Sequence, residues 1–139
     1  MPERPASIQP YRLHLPEIVT SGVVFASPHS GRFYPADFTR RAQLDLLRLR
    51  SSEDAFVERL LTQVPLAGAT LLEAVYPRAY VDLNRAEDEL DPALIEGVAR
   101  GSGGARVATG LGVIPRVVAG GREIFRGKIT RAEAEDRLA

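Results

Sequence analysis

Residues 18–31 read IVTSGVVFASPHSG, an apolar run at Val23 to Phe25 that gives way to a Ser-Pro-His-Ser-Gly turn. β-branched and aromatic residues bounded by Gly and Pro predict a buried strand, with His29 just past its carboxyl end. The position stands out because the 139 residues hold only two histidines.

Downstream, Phe38, Ala42, Leu46 and Leu49 recur at helical spacing and predict an amphipathic helix from Pro35 to about Leu49. SSEDAFVERLLTQVP, residues 51–65, predicts a second helix capped by Ser51 or Ser52, with acids in its first turn and Pro65 at its end. GATLLEAVYPRAYVDLNR, residues 68–85, predicts two short strands split at Tyr76-Pro77, the second running from Tyr80 to Leu83. Strands alternating with helices imply an α/β fold: a mixed, largely parallel sheet flanked by helices.

The flanks are less regular. Residues 1–17 hold four prolines and little periodicity, as in an extended lead-in, which leaves 18–139 as the domain proper. Most of the glycines fall between 97 and 121, which predicts a long loop or a β-hairpin there, with partial disorder or self-association around 101–121. Thr130 and Glu133 form a capping-box pattern at the head of a last helix.

Bulk properties narrow the function. Eighteen basic and eighteen acidic residues give zero net charge, so no long-range field draws the chain to nucleic acid or to an anionic membrane. Seventeen of the cations are arginines; Lys128 is the one lysine. Without cysteine there are no disulfides, thiol nucleophiles or thiolate metal ligands, so any metal must be held by His and carboxylate. Neither a signal-peptide pattern nor an apolar span of about 20 residues is present, which predicts a cytoplasmic protein.

Three polar clusters fall where α/β folds collect ligands, at strand ends and helix starts: PHSGR (28–32), SSED (51–54) and RAYVDLNR (78–85). An imidazole with a carboxylate is a common pair of zinc ligands, which His29 with Glu53 or Asp54 would supply. The alternative is that His29 is a hydrogen-bonded turn residue and the acids are partners of the helix dipole. His14, in the lead-in, reads as a surface residue. Arg78, Asn84 and Arg85 suit a grip on a substrate carboxylate; the competing reading is a surface pair of Arg85 with Asp82 or Glu87.

Taken together, SPHSGRFYP, SSEDAFVERL, PRAYVDLNRAEDELDP and GLGVIPRVVAGGREIFRGKITRAEAEDRL resemble, in order and spacing, the N-formylglutamate amidohydrolase family, over residues 20–138. The family looks related to the zinc carboxypeptidases and the aspartoacylase group, so the resemblance implies a zinc-carboxypeptidase-like fold. It also implies Zn2+-dependent cleavage of the formyl amide of N-formyl-L-glutamate to formate and glutamate, in histidine degradation. Under it, His29 matches the first metal-binding histidine, and Asp54, or alternatively Glu53, the acidic ligand. Arg78 falls on the position that polarises the substrate, and Asn84 with Arg85 on the clamp for its α-carboxylate. Arg32 stands where the related carboxypeptidases place an acid three residues after the histidine.

Family members run to about twice this length, with a CHS-like motif in the later half that supplies a third ligand and a general base beside it. No histidine follows Arg85 here, so the chain resembles an N-terminal half and is expected to be nearly inactive alone. Two other readings stay open: a deacylase of another N-acyl amino acid or a peptide, and a non-catalytic carboxylate-binding domain.

Overall fold

A computed structural model describes residues 8–101 and 103–139; the first seven residues of the predicted lead-in, and Ser102, lie outside the described residues. Three strands form the sheet that carries His29: β1 (Tyr11–His14), β2 (Val24–Ser27) and β3 (Thr70–Ala74), in the order β1-β3-β2. β2 runs parallel to the central β3 and β1 antiparallel to it. The sheet is therefore mixed, with one parallel pair rather than a parallel majority. The tail of the lead-in becomes an edge strand because Leu13 and His14 pair with Leu72 and Leu71.

β2 ends where it was expected to, but it is not buried. Val24 is 64% exposed and Phe25 40%, while Ser27 at its end is covered. The packed core lies elsewhere, in a cluster built on Phe38, Leu49, Ile95, Ile114, Ile124 and Ile129 that includes no residue of β1, β2 or β3.

The predicted first helix is two, α1 (Ala36–Arg41) and α2 (Leu46–Leu49). It breaks because the Gln43 N–H donates to the Ile124 carbonyl at 2.8 Å and its side chain donates to the Glu123 and Phe125 carbonyls. Asp45 then caps a new turn by accepting from the Arg48 N–H.

The predicted second helix shrinks to α3 (Val57–Leu60). Ser51 and Ser52 do not cap it; their hydroxyls donate back to the Arg48 and Leu49 carbonyls. Glu53 is extended and Phe56 takes the left-handed conformation at φ 66°. Both distortions flank Asp54, whose N–H is committed to the His29 carbonyl at 2.9 Å.

The strand predicted at Tyr80–Leu83 is a turn instead. Tyr80 and Val81 N–H groups both donate to the Pro77 carbonyl, and the Asp82 N–H donates to Val113. The glycine-rich region folds into a single helical turn, α4 (Ala105–Ala108), and a small hairpin of β4 (Val117–Val118) with β5 (Arg122–Glu123). α5 (Arg131–Leu138) starts as predicted, with Thr130 Oγ1 accepting from the Glu133 N–H at 3.1 Å. The Glu133 carboxylate does not close a capping box; it pairs with Arg41 and Arg137. Arg137 in turn lies over the Phe38, Tyr80 and Phe125 rings, which ties α5 to the core. Among the described residues no helix is long and apolar enough to cross a membrane.

Candidate active site

The site begins at the exit of β2. The Ser27 hydroxyl donates to Ser30 Oγ at 2.7 Å and the Ser30 hydroxyl donates back to the Ser27 carbonyl, closing the turn that presents His29. Gly31 lets this turn lie against the exit of β3, since a Cβ there would sit 2.0 Å from the Tyr76 carbonyl oxygen. The Phe33 N–H then donates to the Val75 carbonyl, fixing the approach.

His29 is 9% exposed, with a carboxylate at each ring nitrogen. Nε2 donates to Asp82 Oδ1 at 2.8 Å, while Nδ1 faces Asp54 Oδ2 at 3.4 Å. In the neutral imidazole, the hydrogen bond to Asp82 places the proton on Nε2 and leaves a lone pair on Nδ1. A lone pair and a carboxylate oxygen thus point at one spot, an arrangement that a cation between them relieves. Zinc bonds of about 2.0–2.1 Å at a tetrahedral angle would separate their two donors by about 3.3 Å. The donor types and their spacing therefore fit two ligands of such an ion. Among the described residues no group of three His, Cys, Asp or Glu completes a set.

Asp54 and Glu53, adjacent in sequence, part company in space. The Asp54 side chain is 56% exposed beside His29. Glu53 turns inward, its side chain 2% exposed, and its carboxylate accepts from the Tyr34 hydroxyl at 2.7 Å and from Arg50. Burial, then the hydrogen bond and charge of Glu53, push the Tyr34 hydroxyl far above its ordinary value, with Arg50 opposing. Glu53 is committed to this buried cluster and Asp54 is the acid that faces the histidine.

Asp82, which the sequence offered only as a partner in a surface pair, is the hub. Its side chain is 1% exposed and accepts from His29, from Arg78 Nε at 2.9 Å and from the Asn84 N–H at 2.9 Å, with Arg85 Nη2 at 3.8 Å. Burial works to raise its pKa, but the hydrogen bonds from His29 and Asn84 and the charges of His29 and Arg78 outweigh it. The carboxyl is held below the ordinary value, so it is ionised. The signal was present in DLNR: an Asp whose N–H neighbour two residues on can close an Asx turn.

The three polar residues expected around the substrate do not share one cavity. Arg78 and Asp54 line a cleft of about 460 Å3 whose far wall is the Thr109–Gly121 segment, including Leu111 and Val118. Arg78 lines that cleft while its Nε donates to Asp82 Oδ2. Arg85 lines a separate cleft of about 530 Å3, and its fork is engaged by the carbonyls of Leu111 and Asn84. Asn84 is exposed. His14, the other histidine, lies on β1 with Nε2 3.3 Å from Glu73 Oε1, away from these groups.

The chain is similar to known proteins. A family model described as N-formylglutamate amidohydrolase matches residues 21–139. The crystal structure of N-formylglutamate amidohydrolase from Ralstonia eutropha JMP134 is similar, with a TM-score of 0.83 and 42% sequence identity. The similarity covers 94% of this chain and 47% of that one, so the chain spans about half the length of that relative. No curated protein matches the chain.

Proposed function

We propose a reaction from one premise: the chain belongs to the N-formylglutamate amidohydrolase family. The reaction is hydrolysis of the formyl amide of N-formyl-L-glutamate to formate and L-glutamate, at a site that His29 and Asp54 help to build. The observation that carries this reading is His29 poised between a buried Asp82 and an exposed Asp54.

His29 Nδ1 and Asp54 would hold zinc, and Glu53 would not. When bound, zinc lowers the pKa of water toward neutrality and polarises a carbonyl oxygen. The rest falls to the protein. Asp82 keeps the Nε2 proton of His29 in place and so keeps the Nδ1 lone pair aimed at the metal, the role a carboxylate usually plays behind a ligating histidine. Arg78, anchored through Nε, offers its terminal N–H groups to the negative charge that develops on the formyl oxygen. Loss of one comparable donor costs other hydrolases roughly 3–4 kcal/mol in the barrier. Asn84 and Arg85 are the candidates to hold the α-carboxylate, but Arg85 faces a cleft apart from that of Arg78 and Asp54 and would have to release the Leu111 and Asn84 carbonyls to do so. The third ligand and the general base we assign to the half of the Ralstonia relative that this chain does not match.

The test is formate release with zinc and N-formyl-L-glutamate, by the chain alone and by the chain joined to that remaining half. The joined protein should turn over, and His29→Ala should remove its activity; the chain alone should be close to inactive. Unchanged turnover in His29→Ala, or hydrolysis of other N-acyl amino acids in preference to the formyl compound, would refute the assignment. One rival reading is a carboxylate-binding module without chemistry, built on the guanidinium groups of Arg78 and Arg85. Metal-independent binding of glutamate to the chain would support that rival.

A further inference from the structure

We infer that the apolar face of the β1-β3-β2 sheet is a docking surface for the polypeptide equivalent to the unmatched half of the Ralstonia relative. The register sorts the sheet into two unlike faces. Tyr11, Leu13, Leu72, Val24 and Ala26 share one face, because Leu13 and Ala26 both pair with Leu72, Tyr11 lies two residues from Leu13 and Val24 two from Ala26. The opposite face carries Arg12, Glu73 and His14, already joined in ion pairs, beside Phe25, Leu71 and Ser27. Apart from Thr70, the partner of Val24, the first face is apolar, and its outer strands are open to solvent, Leu13 50% exposed and Val24 64%, while Ala74 on the central strand is covered.

A parallel pair such as β2 and β3 is stable in α/β proteins with both faces covered, because its strands are apolar on both sides. Here the core cluster takes in no residue of the sheet. β2 is also an edge, with an unpaired row of backbone groups beside the exposed Val23, Val24 and Phe25. An open apolar face running to an open edge is a surface waiting for further sheet and helix, not for a small ligand. The occupant follows from the comparison. The chain matches 47% of a relative whose fold it shares at a TM-score of 0.83, so a piece of similar size remains to be packed against the matched part. The pairing requires apolar residues on that piece and places it on the sheet that carries His29 at its end.

The experiment mixes this chain with a tagged polypeptide equivalent to the remaining half of the relative and measures association, not hydrolysis, so its outcome is independent of the reaction proposed above. A one-to-one complex is expected. Leu13→Asp and Val24→Asp should each weaken it at least tenfold, while Leu47→Asp, an exposed leucine on α2, should leave it unchanged. Both face residues are exposed in the folded chain, so neither substitution enters the core. Amide exchange on the unaltered chain gives a second readout, with β1 and β2 slowing when the half is added. No association, an association indifferent to both face substitutions, or a homodimer that already protects this face and ignores the added half would overturn the inference.

Discussion

Asp82 illustrates how much a single carboxylate can organise. It receives three hydrogen bonds while almost wholly buried, and each comes from a different part of the site: the histidine, the cleft arginine and the turn that leads to Arg85. Asp82→Asn keeps the shape but exchanges an acceptor for a donor at one oxygen, so either His29 or Arg78 loses its partner. Removal of such a partner typically weakens metal binding 10–100-fold, and isothermal titration with zinc should read a drop in that range. Glu53 makes the opposite prediction. Glu53→Gln should leave zinc binding intact and lower stability by about 1–3 kcal/mol in urea unfolding, because the Arg50 contact loses its charge partner inside the fold. Tyr34 belongs to the same cluster and carries a pH signature. A folded value raised above the ordinary 10.0 means that its contribution is complete below pH 10, where the unfolded tyrosine is protonated too, and is lost as the pH rises further. Stability should therefore fall more steeply above pH 10 in the unaltered chain than in Tyr34→Phe.

At the scale of elements, the site depends on loops being pressed against strand ends rather than on regular structure. Gly31 is the clearest case, since the turn carrying His29 touches the backbone at Tyr76 where a side chain has no room. Gly31→Ala should cost about 3 kcal/mol, the upper range for overpacking, because the obstacle is main chain that cannot rotate away. Gly22, on the same strand approach, has nothing within 4 Å of its added Cβ, so Gly22→Ala should change the unfolding midpoint little. This reliance on loops also explains what the sequence could and could not convey. The strand before His29, the strand at Thr70–Ala74 and the Thr130 cap were legible because each is written in local pattern or local capping chemistry. The break at Gln43 and the extended stretch at Glu53 meet partners 81 and 19 positions away, at Ile124 and Tyr34, and the turn that closes on Pro77 at Tyr80 is followed by Asp82, bonded to Val113, 31 positions away. No periodicity in the segments themselves records those partners. The separation of Glu53 from Asp54 was illegible for the same reason, and the importance of Asp82 shows only once His29 is seen beside it.

The whole molecule divides into a packed part and an open part. Arg41, Glu133 and Arg137 lock α5 onto the Phe38–Phe125 core, whereas the sheet that bears His29 exposes Leu13 and Val24 on its apolar face and leaves β2 as an edge among the described residues. The same imbalance holds in the chemistry, with His29 and Asp54 side by side as a proposed donor pair and a cleft lined by Asp54, Arg78 and the glycine-rich hairpin. Because the donors are already spaced for an ion, zinc should bind the chain alone, though weakly, and with little turnover. The most direct test of the account is therefore a zinc titration of the unaltered chain beside His29→Ala, Asp54→Ala and Glu53→Gln. The account predicts one zinc per chain, lost in the first two variants and retained in the third. Zinc binding that survives both His29→Ala and Asp54→Ala would contradict it.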